Sequence, residues 1–156
     1  MTNLKDSKPT KKAIYPGSFN PWHEGHEDVL QKALMVFDEV VIAFGDNPEK
    51  PSIYDRDLYR LDLAVELGQK YPGKVSVVGF SGLLVGAIKE EHVAVIRGLR
   101  NGYDLQYEQN LQYCNEDLGL KIPVVYFVAG RNCAHVSSTM IRSVWKAKAK
   151  PDKKPE

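Results

Sequence analysis

The stretch Tyr15–His26, YPGSFNPWHEGH, holds two histidines three positions apart, His23 and His26, with Gly25 between them. Pro16 and Gly17 turn the chain just before. A glycine there lets backbone amides approach a ligand with no Cβ in the way. Ser18 adds a hydroxyl and an amide. His26 falls in the first turn of a predicted helix, where unpaired N–H groups favour an anion. Such residues offer phosphate binding; the plain alternative is a helix that happens to begin with histidine. The stretch is neither a Walker loop nor a dinucleotide fingerprint, since G-x-x-x-x-G-K-[ST] and G-x-G-x-x-G are both missing. A metal pair would lack a clear third ligand.

Other short stretches carry related chemistry. In NPEKP, Lys50 is a flexible point charge suited to a phosphate. In GFSGLLV, Ser81 is a plausible helix cap, and Leu83 and Leu84 belong either to the core or to a pocket for an apolar substrate arm. In IRGLR, Arg97 follows the apolar run AVI and is expected to be partly buried. A buried guanidinium needs an anionic partner. Asp104, Glu108 or a ligand phosphate could serve, and the ligand is favoured because arginine binds phosphate bidentately. Gly98 and Arg100 follow at the same strand end. Tyr103, Tyr107 and Leu111 form a stripe that reads as core or subunit interface. Glu108, one turn past Asp104, reads as either an exposed helix acid or a group facing the nucleotide end of a site. In VSSTMIR, Ser137, Ser138 and Thr139 open a helix, as caps or as a second phosphate cradle.

The elements that must position these residues alternate. KAIY reads as a strand, His26 to Phe37 as a helix, Glu39–Gly45 as a buried strand, and 46 to 55 as a loop. A helix to about Lys70, a strand Lys74–Phe80, a short helix Leu83–Glu91 and a strand Val93–Gly98 follow. A helix Tyr103–Leu118, a strand Pro123–Ala129 and a last helix Ser137–Trp145 complete the series. This alternation predicts an α/β fold: a doubly wound, five-stranded parallel sheet with helices on both faces. Ligands in such sheets bind outside the carboxyl ends of the strands, where the strand order reverses. All the stretches above lie after strands.

The chain of 156 residues suits one domain, read as 12–145 between a disordered tail 1–11 and a lysine-rich tail 146–156. Net charge is +1, so no global field argues for nucleic acid. No apolar run approaches the roughly 18 residues of a membrane span. The polar, basic start does not read as a secretory signal. Cys114 and Cys133 show no metal or redox spacing, which makes a reducing, cytoplasmic setting the expectation.

H-x-G-H after a first strand resembles the nucleotidylyltransferase superfamily. Taken in order, YPGSF, H-x-G-H, N-P-x-K-P, VVGFSGLLV, IRGLR, D-x-x-Y-E and V-S-S-T-x-I-R resemble the bacterial phosphopantetheine adenylyltransferases over about Ala13 to Val144. The resemblance implies a Rossmann-like fold and transfer of AMP from ATP to 4′-phosphopantetheine, giving dephospho-coenzyme A and pyrophosphate. It implies Mg²⁺ held mainly through the ATP phosphates, no metal site on the protein, and a homohexamer. By matching positions it makes His26, Lys50 and Arg97 catalytic. It implies that Ser18, Lys50, Leu84 and Arg97 contact phosphopantetheine. It assigns ATP to Ser18, Phe19, His23, His26, Gly98, Leu99, Arg100 and Glu108, and to Cys133, Ala134, His135, Val136, Ser137, Ser138 and Thr139. The chain departs from the family pattern at Ser18 and His23, where threonine is usual, at Asn20, where aspartate is, and at Cys133, where tryptophan is frequent. The nearest alternatives are another nucleotidylyltransferase, such as one acting on nicotinamide mononucleotide, and a non-catalytic nucleotide-binding protein.

Overall fold

Five β-branched or apolar runs form one parallel sheet, and its order decides where a ligand can enter. The computed structural model describes residues 9–46, 55–133 and 136–149. The strands are β1 (Lys12–Gly17), β2 (Glu39–Gly45), β3 (Val75–Phe80), β4 (His92–Leu99) and β5 (Val124–Val128). Between them run α1 (Glu24–Leu34), α2 (Arg56–Lys70), α3 (Leu84–Ala87) and α4 (Gly102–Asp117), and α5 (Ser138–Ala149) follows the sheet. The strand order is β3-β2-β1-β4-β5, all parallel. The order reverses between β1 and β4, which is the switch point of this doubly wound sheet.

Alternate side chains of the inner strands go to opposite faces. Ala13, Tyr15, Val40, Ile42, Phe44, Ala94 and Ile96 join Val29, Leu30 and Ala33 of α1 and Leu63 and Leu67 of α2 in the larger core. Ile14, Ala43 and Val95 face the other way, against Leu120, with Leu84, Val85 and Ala87 of α3 beside them. Helices therefore lie on both faces, as the alternation predicts.

The strands part at the switch point. β1 stays paired with β2 out to Gly17, but its last partner on β4 is Val95, opposite Ile14. β4 continues beside β5 to Leu99. Beyond Ile14 the sheet is open between its two central strands, which leaves the Pro16 carbonyl able to accept from a side chain. β1 thus runs two residues past the expected end at Tyr15, because Pro16 and Gly17 still follow β2.

Other element ends shift as well: α1 spans Glu24–Leu34 rather than His26 to Phe37, several ends move by one residue, and the largest differences lie in α3 and α5. α3 covers only Leu84–Ala87 rather than Leu83–Glu91. Gly86 lies inside it, Gly82 sits just ahead at φ +80, and Ile88 is already extended, a poor context for propagating a helix. Its N-cap residue is Leu83, with no side-chain cap, so Ser81 does not serve as one. At the other end, α5 continues past Trp145 to Ala149, taking in Lys146 and Lys148. Lysine is a good helix former and sits well near a helix C-terminus.

Candidate active site

His23 is the N-cap of α1, and its ring and that of His26 build the cap between them. The Gly25 amide donates to His23 Nδ1 at 3.0 Å, and the His23 amide donates to His26 Nδ1 at 3.2 Å. This is a capping box in which two imidazoles take the usual places of serine and glutamate. The rings stack with centroids 3.7 Å apart. Gly25 is needed for this: a Cβ there would lie 2.9 Å from His23 Cε1. Since both Nδ1 atoms accept, each neutral ring carries its proton on Nε2. Phe19 meets the His26 ring edge-on at 4.9 Å, and Trp22 lies 5.3 Å from it. Trp22 is itself held, its indole N–H donating to Glu27 at 3.0 Å and its amide to the Tyr59 hydroxyl at 2.9 Å.

Burial pushes the His23 pKa down to about 4, with the Arg100 charge acting in the same direction. Burial also holds His26 well below its ordinary range, helped by His23, Arg97 and Arg100. Unfolded, both titrate near 6.5. Below that pH the unfolded chain binds more protons than the folded one, so stability falls as pH drops from there toward 4. Protonation at Nδ1 also abolishes the cap. The melting temperature should therefore be lower at about pH 5 than at about pH 7.5. The drop should shrink in His23→Asn, which keeps a capping side chain without the titration. His92, at the other end of the sheet, is also shifted down by burial, so the comparison with the variant carries the test: equal drops would contradict it.

At the end of β4, Arg97 lies against Glu108 of α4. Nε donates to Oε2 at 2.7 Å, Nη2 to Oε1 at 2.6 Å, and Nη1 to the Pro16 carbonyl at 2.8 Å. Burial works against the charge of Arg97, but the Glu108 carboxylate outweighs it and holds the guanidinium above its ordinary pKa. Glu108 is 7% exposed, so the reading of it as a surface acid is corrected. Of the three anions considered for Arg97, Glu108 takes the position. Asp104 goes instead to Arg100, accepting from its amide at 2.8 Å and its Nε at 3.1 Å.

Two cavities flank this ion pair. One, of about 310 Å³, is lined by Ser18, Phe19, His23, His26, Gly98, Leu99 and Arg100, and by Cys133, Val136, Ser137, Ser138 and Thr139. The other, of about 300 Å³, is lined by Phe80, Leu83, Leu84, Leu111, Gln112, Asn115 and Tyr126. Pro16, Gly17, Arg97 and Glu108 belong to both. Ser18 lines only the histidine side, and Leu84 only the apolar side. Lys50, Ala134 and His135 lie outside the described residues. Gly98 allows β4 to pass close under α1, since a Cβ would come 2.8 Å from Val29 Cγ2.

The serine hydroxyls at the start of α5 have partners within the chain. Ser137 Oγ accepts from the Met140 amide at 3.1 Å, as a cap does, and Ser138 Oγ donates to the Pro21 carbonyl at 2.9 Å. Arg142 donates to the Asn20 carbonyl at 2.5 Å and lines the histidine-side cavity. Sequence reasoning misses it as a site residue, although it ends the V-S-S-T-x-I-R stretch. It misses the inner face of α4 as well. Glu108, Leu111, Gln112 and Asn115 stand at i, i+3, i+4 and i+7, one helical face. The four-residue stripe of Tyr103, Tyr107 and Leu111 drifts off that face. Tyr103 is 86% exposed and Tyr107 67%, so neither is core in this chain. Among the described residues no group of three or more His, Cys, Asp or Glu side chains could hold a metal ion.

A half-buried histidine pair at a helix N-terminus, beside arginines at the switch point of a parallel sheet, is an arrangement suited to an anionic ligand. Residues 14–144 match the cytidylyltransferase-like family, and the chain belongs to it. The fold agrees with solved structures. The bifunctional NMN adenylyltransferase/ADP ribose pyrophosphatase from Francisella tularensis superposes with a TM-score of 0.58 at 12% identity, over 92% of this chain and 44% of that one. The lipopolysaccharide core biosynthesis protein from Thermoplasma volcanium superposes with a TM-score of 0.55 at 18% identity, over 78% and 98%.

Within the family its relatives are phosphopantetheine adenylyltransferases, and the chain belongs among these coenzyme A biosynthetic enzymes. It is 39% identical to the one from Campylobacter fetus over 137 residues, 87% of this chain and 85% of the relative. It is 35% identical to the one from Nautilia profundicola over 139 residues, 86% and 87%.

Proposed function

We propose that this chain transfers AMP from ATP to 4′-phosphopantetheine, giving dephospho-coenzyme A and pyrophosphate. The observation that carries the reading is the pair of cavities meeting at Arg97: a polar one with His26 and Arg100 for the nucleotide, and a largely apolar one for the pantetheine arm. The family membership of the chain supports the same substrates.

The acceptor is a phosphate monoester, largely ionised near neutral pH. One of its oxygens attacks the α-phosphorus of ATP, the bond to the β-phosphate bridging oxygen breaks, and pyrophosphate leaves. No general base and no covalent enzyme intermediate are needed. What the protein must supply is alignment and stabilisation of the charge on the α-phosphate. His26 is given the stabilising role, because with Nδ1 held by the His23 amide its Nε2–H is the available donor. Arg97 holds the acceptor phosphate and Arg100 the nucleotide phosphates. Lys50 is assigned to both phosphates. Ser137, Ser138 and Thr139 close the nucleotide side, and Leu84 contacts the acceptor arm.

Three further proposals accompany this one. Mg²⁺ arrives with the ATP phosphates. The enzyme works in the cytoplasm; no helix among the described residues is long and apolar enough to cross a membrane. Copies assemble as a homohexamer, covering the exposed Tyr103, Leu105, Tyr107 and Tyr113 of α4.

The test supplies phosphopantetheine, nicotinamide mononucleotide and glycerol phosphate in parallel, each with ATP or CTP, and measures pyrophosphate. Turnover is expected with phosphopantetheine and ATP. Turnover only with one of the other acceptors would overturn the reading. ATP binding without turnover on any acceptor would point to a nucleotide sensor instead.

A further inference from the structure

Arg97 is central to both cavities, yet its best binding edge is already taken. A guanidinium offers one side-on edge, Nε with Nη2, that matches carboxylate and phosphate alike. Glu108 occupies that edge with both oxygens, at 2.7 and 2.6 Å, and Pro16 takes Nη1. Glu108 is the one residue of α4 buried in this chain, so a carboxylate that left the Arg97 fork would be stranded there without a counter-charge. An incoming anion must therefore exchange with Glu108 on Arg97, or bind beside it against its charge.

We propose that Glu108 is a specificity-determining residue, an internal counter-anion that reserves Arg97 for a dianionic phosphate monoester. The physics is an exchange. A singly charged anion that replaces one carboxylate by another gains nothing in Coulomb attraction to the guanidinium. A phosphate dianion brings twice the charge to the same fork and can win it. The released carboxylate then repels a second anion, which separates the acceptor phosphate from the nucleotide phosphates across the shared wall. Glu108 is thus more than a structural partner: it sets the charge an acceptor must present. The meaning for catalysis rests on the proposed acceptor, but the anion exchange does not.

The experiment uses the full chain without nucleotide at about pH 8, where inorganic phosphate is mostly dianionic. Melting temperature is followed against increasing phosphate or acetate at fixed ionic strength. The wild type should respond to phosphate and not to acetate. Glu108→Gln leaves the guanidinium without its counter-charge, so it should respond to both and bind phosphate at least about tenfold more tightly. The double variant Arg97→Met with Glu108→Gln should lose the acetate response and the gained part of the phosphate response. Phosphate held by His26 and Arg100 remains in both backgrounds and cancels in that comparison. If Glu108→Gln does not fold, Glu108→Asp keeps the charge on a shorter reach and should show the same gain at about threefold. Phosphate affinity unchanged or weakened in these variants, or acetate binding equal to wild type, overturns the proposal. Because inorganic ions are the probes, it can fail while the acceptor panel succeeds, and the reverse.

Discussion

Replacing His26 with alanine should lower kcat by about 10²–10³-fold while leaving the affinity for ATP within about threefold of wild type. The expected size is that of one lost donor to a charge developing in the transition state. His26 suits this role because its surroundings keep it neutral and directional. The His23 amide fixes Nδ1 at 3.2 Å, and the stacked His23 ring together with Phe19 and Trp22 limits rotation. A ring so held loses little freedom on meeting the α-phosphate. In the proposed site, Arg100 and the start of α5 would also hold ground-state ATP. Single-turnover rates and ATP binding measured on the same variant separate the two effects. An unchanged rate would remove His26 from the mechanism, and a parallel loss of ATP binding would make its role ground-state binding or support of the cap.

Arg97→Ala should raise KM for the acceptor by about 100-fold and, in the same protein, lower stability by about 3 kcal/mol. The first effect is loss of the acceptor phosphate ligand. The second follows from Glu108, which would be left buried and negative with no counter-charge. The stability figure lies at the low end for a broken buried pair because the Arg97 side chain keeps 24% of its exposure. Combining Arg97→Met with Glu108→Gln removes both charges and should recover most of the lost melting temperature without restoring acceptor affinity. KM for ATP should move far less than KM for the acceptor. If acceptor KM is unaltered in Arg97→Ala, Arg97 is a structural residue. If the double variant is no more stable than the single one, the ion pair does not explain the cost.

Much of the fold is legible in the sequence because its signals are local. The β-branched run Glu39–Gly45 has nowhere to go but the buried centre of a sheet, and the spacing of Val29, Leu30 and Ala33 marks the buried side of α1. Glycines and prolines at the strand ends announce loops. The short α3 and the extended α5 escape such reading because helix ends depend on the balance of weak local preferences with tertiary contacts. The histidine and arginine stretches stand out as candidate ligand-binding groups because they follow strands directly, at the sheet edge where ligands bind in such folds.

Partners distant in the chain are a different matter. Nothing in the order of residues says that Arg97 meets Glu108 rather than Asp104, since both acids lie on the one helix that follows it. The choice is made by where α4 crosses the end of β4. Nor does the sequence show that His23 and His26 cap α1 with each other's help, because the cap requires His23 to be extended and His26 to be already helical. The second cavity is invisible for the same reason, with walls drawn from β1, β3, β4, β5, α3, α4 and the loop before α3. The alternating elements, the family and the residue types available for handling phosphate are all written in short-range patterns, and the chain reads them out unaided. The strand order, the parting of β1 from β4 and the ion pair at that opening come from folding. They depend on which surfaces bury one another, and that is a property of the whole chain.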